Sequence, residues 1–204
     1  MKKLSMFAVV ALAAFGIGCT GSTSTIVAAS PTAAVGAQAP NFTLEDQTGK
    51  KVSLTDFAGK IVVLEWINPD CPFVQRHANA KTMYTLAEKY GAHNVVWLGI
   101  NSTNYADCAT NAKWIASNQL PYSVLDDHTG EVGHLYGART TPHMFVIDAS
   151  GKLVYEGGID DDPGGSKGPA TVNYVDRALG ELTSGKAVST PQSKPYGCSV
   201  KYKS

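Results

Sequence analysis

One cysteine, Cys71, stands in the segment "NPDCPFVQRH", directly after the apolar run "IVVLEWI". The run predicts a buried strand and Pro72 suits the first turn of a helix, so Cys71 would lie at a strand-to-helix junction. Free N–H groups and the helix dipole at such a junction stabilise a thiolate, the nucleophilic form of cysteine. The pattern therefore predicts a reactive thiol at Cys71, with a small buried residue as the alternative.

Two other cysteines could assist Cys71. Cys108 lies at helical spacing with Tyr105 and Ile115, so it is predicted as part of an apolar helix face, with a redox partner as the alternative. Cys198 lies in "SKPYGCSVKY", whose Pro, Gly and Ser predict an irregular, mobile tail. A thiol on such a tail is the better candidate to form a disulfide with Cys71, either as a labile redox pair or as a static bond.

Strand and helix patterns alternate along the rest of the chain and predict the α/β class. A β-hairpin is expected where "QTG" separates "FTLED" from "KKVSLTDF". Buried strands follow at "KIVVLEWI" and "NVVWLGIN", and two final strands at "HMFVID" and "KLVYEG". Helices are predicted over 72–90, over 105–118, in "TGEVGHLYG" and in "ATVNYVDRALGELTSG", so the sheet should be mostly parallel.

The amino terminus predicts export. "MKK" and the apolar run that follows are typical of a signal peptide over residues 1–18, and Cys19 resembles the lipid-bearing cysteine of a bacterial lipoprotein. Cleavage after Gly18 or Ala29 without lipid is the alternative. Residues 19–37 would be a flexible tether and 38–204 the folded domain. The protein is thus expected outside the cytoplasm, with membrane contact only through a lipid on Cys19.

Several segments together resemble one superfamily: "VVLEWINPDCPFV", "TTPHMFVID", "VYEGGIDDDPGG" and "KPYGCSVKY". They resemble the thioredoxin-like superfamily and, within it, a peroxiredoxin-like branch of the alkyl hydroperoxide reductase and thiol-specific antioxidant family, over residues 36–204. The resemblance implies a thioredoxin-like fold: a central mixed sheet flanked by helices, with an N-terminal β-hairpin and an extended C-terminal tail. It also implies that Cys71 is the nucleophile and that Pro142 is a cis-proline facing it.

Some positions depart from these families. A thioredoxin would carry a second cysteine at Val74, and a standard peroxiredoxin has Thr at Asn68 and Pro at Leu64. These departures favour thiol redox chemistry in general over peroxidase activity in particular. Asn68 remains a candidate hydrogen-bond donor to a bound peroxide or thiolate. Arg139 is a candidate to stabilise a thiolate or a departing oxygen anion, or else a surface arginine.

The sequence thus predicts an exported thiol-disulfide oxidoreductase or thiol peroxidase without an organic cofactor or metal. Its substrates would be a peroxide or a protein disulfide, and an external thiol would reduce it. Equal numbers of acidic and basic residues, 17 each, give no electrostatic reason to expect nucleic acid. The alternatives are a copper chaperone using Cys71, His77 and His143, and a catalytically silent interaction domain. The run 160–162 before Pro163 is predicted as a solvated turn rather than a Ca²⁺ site.

Overall fold

The computed structural model describes residues 32–203. The predicted signal peptide, Cys19 and the first part of the predicted tether lie outside the described residues. Residues 33–37 already belong to the fold, because the Ala33 N–H donates to the Leu135 carbonyl (3.0 Å) and the Gly36 N–H to the Leu153 carbonyl (2.7 Å). The folded domain therefore begins before Gln38, where the sequence analysis put its start.

A seven-stranded mixed sheet forms the centre of the domain, in the order β2-β1-β5-β4-β3-β7-β8. The central strand β3 is parallel to β4 and antiparallel to β7, and β4 is parallel to β5, while the other pairs are antiparallel. The sheet is therefore mixed, as the family resemblance implies, and not mostly parallel. The predicted N-terminal hairpin is present as β1 and β2. The strands are β1 Thr43–Glu45, β2 Lys51–Ser53, β3 Ile61–Trp66, β4 Val95–Asn101, β5 Val124–Asp126, β6 Thr140–Thr141, β7 His143–Ile147, β8 Leu153–Gly157 and β9 Cys198–Ser199.

Helices cover both faces of this sheet, which explains why every residue of β3 is buried. One face packs against α2 and α5 through Leu86 and Leu179. The opposite face packs against α4 through Tyr136. The helices are α1 Pro72–Asn79, α2 Thr82–Gly91, α3 Cys108–Asn118, α4 Glu131–Tyr136 and α5 Tyr174–Thr183. Within residues 32–203, no helix combines the length and the apolar character needed to cross a membrane.

Two helix predictions are wrong in detail. The helix predicted over 72–90 is divided into α1 and α2, because Lys81 adopts a left-handed conformation (φ 53°) that turns the chain. The apolar face predicted around Cys108 is formed only in part, since Tyr105 precedes α3 and is exposed, whereas Ile115 packs against the core. The fully buried residue of α3 is instead Asn111, whose Oδ1 accepts a hydrogen bond from Asn101 Nδ2 (2.8 Å).

The C-terminal segment after α5 is extended, as predicted, but it is docked rather than mobile. The Ser193 N–H donates to the Glu156 carbonyl (3.1 Å), and the Val200 N–H donates to the Arg139 carbonyl (3.2 Å). Between these two points, β9 pairs antiparallel with β6. The segment therefore crosses the end of the domain where β3 leads into α1.

Candidate functional site

Cys71 occupies the junction that the sequence predicts, as the N-cap residue of α1 with Pro72 in the first helical turn. Its N–H donates to the Asn68 carbonyl (3.0 Å), which closes a tight turn after β3. The side chain is buried, with 1% of its surface exposed. Its thiol lies 2.9 Å from the Thr141 carbonyl oxygen and donates to it. The sulfur is thus fixed against the loop that carries Pro142.

The Thr141–Pro142 peptide bond is cis, as the family resemblance implies. On the outer side of this loop, Thr141 of β6 is paired in register with Cys198 of β9. Gly197 makes this pairing possible, since a Cβ at that position would collide with the Thr141 carbonyl. Cys198 consequently packs against the small apolar cluster that contains Cys71. Two free thiols therefore meet at the cis-proline loop.

The two thiols differ in acidity. Burial raises the pKa of Cys71, but hydrogen bonds from the Cys198 thiol, the Thr141 hydroxyl and backbone N–H groups outweigh it and bring the pKa below its ordinary value. Burial, together with the hydrogen bond to Cys71 and its charge, raises the pKa of Cys198. Cys71 is thus the thiol that ionises first, while Cys198 keeps its proton.

Two other candidate residues lie near Cys71 with different surroundings. Asn68 is buried; its Oδ1 accepts the Asp70 N–H (2.8 Å), and its Nδ2 donates over 3.4 Å to the Tyr105 hydroxyl. Arg139 is exposed, and its side chain forms no hydrogen bond or salt bridge to the described part of the chain. The roles of Asn68 and Arg139 toward an oxidant stay predictions.

Comparison with known proteins decides the family. The model of the AhpC/TSA family matches residues 35–156, which is more than half of the chain. The chain belongs to the AhpC/TSA family. The thiol-disulfide oxidoreductase ResA of Bacillus thuringiensis subsp. konkukian (strain 97-27) is 30% identical over 149 residues, which are 73% of this chain and 79% of the relative.

A second relative and one solved structure extend this likeness. The chloroplastic peroxiredoxin Q of Triticum aestivum is 33% identical over 129 residues, covering 59% of this chain and 57% of the relative. The crystal structure of an uncharacterized conserved protein from Geobacillus kaustophilus superposes with a TM-score of 0.76 at 31% identity, covering 83% of this chain and 93% of that one. This AhpC/TSA member therefore has a thioredoxin-like fold and is related to thiol oxidoreductases.

The ligand set of the copper alternative is not assembled in this AhpC/TSA protein. His77 Nε2 lies 2.9 Å from the Tyr196 hydroxyl, and His143 Nδ1 accepts the Arg139 N–H (3.3 Å). Burial, helped by the positive charge of Arg139, lowers the pKa of His143 to about 3. Over residues 32–203, no three His, Cys, Asp or Glu side chains form a group that could hold a metal ion.

Cys108 lies apart from the cluster that holds Cys71 and Cys198. It begins α3 and is half-buried, and its Sγ is 3.8 Å from Asp126 Oδ2. Burial and the neighbouring Asp126 carboxylate raise the pKa of the Cys108 thiol. Because Cys108 lies outside the cluster, it is not placed to form a bond with Cys71.

The sequence analysis missed two residues of this region. Thr141 precedes Pro142, and its buried Oγ1 has no hydrogen-bond partner among residues 32–203. It is therefore free to donate to the Cys71 thiolate. Glu65 lies in β3 and is fully buried; burial raises its pKa to about 7, against hydrogen bonds from Trp97 and Tyr122. An acidic residue within an apolar strand pattern is the signal that could have identified Glu65.

Proposed function

We propose that this protein is an exported thiol oxidoreductase in which Cys71 is the nucleophile and Cys198 the resolving cysteine. The observation that carries the proposal is that Cys71 and Cys198 both contact Thr141. Cys71 bonds to the Thr141 carbonyl at 2.9 Å, and Cys198 is paired in register with Thr141. No other pair of the three described cysteines shares a cluster.

The opposite pKa shifts of Cys71 and Cys198 support these roles as nucleophile and resolving cysteine. A nucleophilic thiol must be ionised, and the donors around Cys71 lower its pKa. The pKa of Cys198 is raised, so its thiol keeps the proton that it donates to the Cys71 thiolate. Pro142 fixes the loop between the two sulfurs.

With a disulfide as oxidant, the reaction proceeds by exchange. The Cys71 thiolate attacks one sulfur, a new S–S bond forms, the substrate S–S bond breaks and a thiolate departs. The Cys198 sulfur then attacks Cys71, the second substrate thiol leaves with the Cys198 proton, and a Cys71–Cys198 disulfide remains. The substrate has gained the two electrons that the cysteine pair has lost.

With a peroxide as oxidant, the Cys71 thiolate attacks one peroxide oxygen. An S–O bond forms as the O–O bond breaks, and the departing oxyanion takes up a proton, which leaves a sulfenic acid on Cys71. The Cys198 sulfur displaces the hydroxyl group, which leaves as water with the Cys198 proton. In both cases an external thiol reduces the disulfide and restores the enzyme. Asn68 and Arg139 are proposed to stabilise the oxidant and the departing anion.

The action outside the cytoplasm is part of the proposal. It is supported by the signal-like residues 1–18 and by Cys19 in its lipoprotein-like setting. A lipid on Cys19 would tether the domain to a membrane. Fractionation of cells and the mass of the mature amino terminus test this part. An unlipidated start after Gly18 or Ala29 would contradict the lipid anchor alone, whereas an uncleaved amino terminus on protein in the cytoplasmic fraction would contradict export.

The catalytic proposal is tested by titrating the reduced mature protein with hydrogen peroxide and, separately, with a model disulfide. Peptide mapping by mass spectrometry is expected to find first a modified Cys71 and then a Cys71–Cys198 disulfide. A Cys108→Ser variant, altered outside the cluster, should behave like the wild type. A Cys71–Cys108 bond, or a Cys71 inert to both oxidants, would contradict the proposal, and inertness would favour a silent interaction domain.

A further inference from the structure

The position of Cys198 depends on the contacts made by the residues that directly precede it in the C-terminal segment. Only Gly197 separates Cys198 from Tyr196, whose hydroxyl lies among the side chains of Arg76, His77 and Asp160. We propose that Tyr196 is a positioning residue that, by anchoring its hydroxyl between α1 and the loop after β8, holds Cys198 against Cys71. This inference rests on the proposed function and specifies what keeps the resolving cysteine in place.

The Tyr196 hydroxyl has three polar neighbours. It donates to Asp160 Oδ1 (2.5 Å), because a carboxylate can only accept. Arg76 Nη2 donates to it over 3.3 Å, and His77 Nε2 lies 2.9 Å away. The hydroxyl can thus use its proton and both lone pairs at once. Burial and the hydrogen bond to Asp160 raise the pKa of Tyr196, so the hydroxyl keeps the proton that it donates.

These neighbours connect Tyr196 to the helix that begins at Cys71. Arg76 and His77 lie on α1, five and six residues after the nucleophile. Arg76 also donates to the Pro163 carbonyl (2.7 Å) and to the Asp162 carbonyl (3.1 Å), so that α1 and the loop after β8 form one support. The distance from α1 to the C-terminal segment is therefore set by side chains, in addition to the β6–β9 pairing.

The Tyr196 ring adds an apolar contact to the same helix. Its centroid lies 5.9 Å from that of Phe73, and the Arg76 guanidinium lies over both rings at 5.8 Å. Removing the hydroxyl alone would keep these contacts and leave Asp160 Oδ1 with the Asp162 N–H as its remaining donor. Removing the ring as well would also remove these apolar contacts, and the C-terminal segment would be released just before Cys198.

The contribution of the hydroxyl is measurable by hydrogen exchange of the reduced protein. In Tyr196→Phe, amide exchange in the peptide that contains residues 197–201 is expected to accelerate about 10- to 100-fold, the size expected for losing hydrogen bonds to charged groups. Exchange in β3 should stay unchanged, which separates release of the segment from unfolding of the domain. Tyr84→Phe is the matched control, because no hydrogen bond of the Tyr84 hydroxyl occurs within the described chain.

Positioning is tested by the closure of the Cys71–Cys198 bond after a single oxidising equivalent. In Tyr196→Ala, closure is expected to slow at least about 10-fold relative to the reaction of Cys71 with the oxidant, as the effective concentration of Cys198 falls. Asp160→Asn in combination with Tyr196→Phe should accelerate exchange less than the product of the single effects, since both remove one contact.

Unchanged exchange in Tyr196→Phe, or closure as fast in Tyr196→Ala as in the wild type, would overturn the inference. A wild-type protein that never forms the Cys71–Cys198 bond, while its exchange still depends on Tyr196, would instead overturn the proposed function and leave Tyr196 only as the residue that docks the segment.

Discussion

The buried carboxyl of Glu65 in β3 allows a quantitative test of how burial affects ionisation in this fold, through the replacement Glu65→Gln. The Glu65 side chain is 3% exposed, and its Oε2 accepts from Trp97 Nε1 (2.9 Å) and from the Tyr122 hydroxyl (3.1 Å). A glutamine has the same size, and its carbonyl oxygen can accept both bonds without a charge. The replacement therefore removes the ionisation and little else.

The expected magnitude follows from the pKa of Glu65, which burial raises from an ordinary 4.5 to about 7. Between these two values the unfolded chain releases the Glu65 proton while the folded protein retains it, so folding is increasingly opposed as the pH rises. The shift corresponds to about 3 kcal/mol once the pH exceeds 7, and to nothing below 4.5. The free energy of unfolding of Glu65→Gln, relative to the wild type, should rise by this amount over that window and then stay level.

Urea unfolding of both reduced proteins, from about pH 4 to about pH 8.5, measures this difference. The cysteines are the same in both proteins, so their titration cancels in the comparison. Glu88→Gln, at an exposed glutamate of α2, is the control for replacing a glutamate with a glutamine elsewhere in the fold. A Glu65→Gln difference that does not vary with pH would refute the reasoning, because the Glu65 carboxyl would then titrate alike in the folded and unfolded chains.

Three further expectations concern the thiols and the docked segment. Cys71→Ser should abolish thiol-dependent turnover while the melting temperature stays within a few degrees of that of the wild type, as measured by an activity assay and calorimetry. Cys198→Ala should raise the pKa of Cys71 relative to Cys198→Ser, since serine keeps a donor to the thiolate; thiolate ultraviolet absorbance measures it. Gly197→Ala should destabilise the docked segment by about 1–3 kcal/mol, through its φ of 140° and the collision with Thr141, and accelerate amide exchange there. Gly168→Ala, with φ 52° but open space around its Cβ, should leave that exchange unchanged.

Local patterns were sufficient to predict the position of Cys71. The continuous apolar run before it predicted a fully buried strand, and Pro72 predicted the start of α1; the structure has both. Each signal involves neighbours in sequence, such as a strand pattern or a residue that suits a helix start. The family resemblance added what local patterns could not, the cis geometry of Pro142.

Features that depend on distant contacts could not be predicted in this way. The run of three aspartates was predicted to be a solvated turn, yet Asp160 is buried because its carboxylate accepts from Tyr196 and from the Asp162 N–H (2.9 Å). Asp162 is likewise buried and accepts the Ser166 N–H (2.9 Å). The turn at Lys81 had no glycine or proline to mark it.

The prediction made from composition was most clearly wrong for the C-terminal segment. Its Pro, Gly and Ser residues suggest mobility, but Gly197 is required there for close approach to Thr141, and the segment's order comes from partners elsewhere in the chain. Tyr196 reaches His77, 119 residues earlier, and Tyr202 donates to the Ala138 carbonyl (2.7 Å). The same residue types thus serve a docked strand as well as a flexible tail.

Docking of this segment links access to Cys71 with the supply of its partner. With the segment in place, Cys71 is 1% exposed and belongs to the same apolar cluster as Cys198. Under the proposed function, a small oxidant that reaches the Cys71 sulfur would be followed directly by closure of the disulfide. A large oxidant that requires the segment to open would meet Cys71 while Cys198 is withdrawn, and closure would then wait for the β6–β9 pair to form again. Weaker Tyr196 contacts are therefore expected to favour large oxidants over small ones.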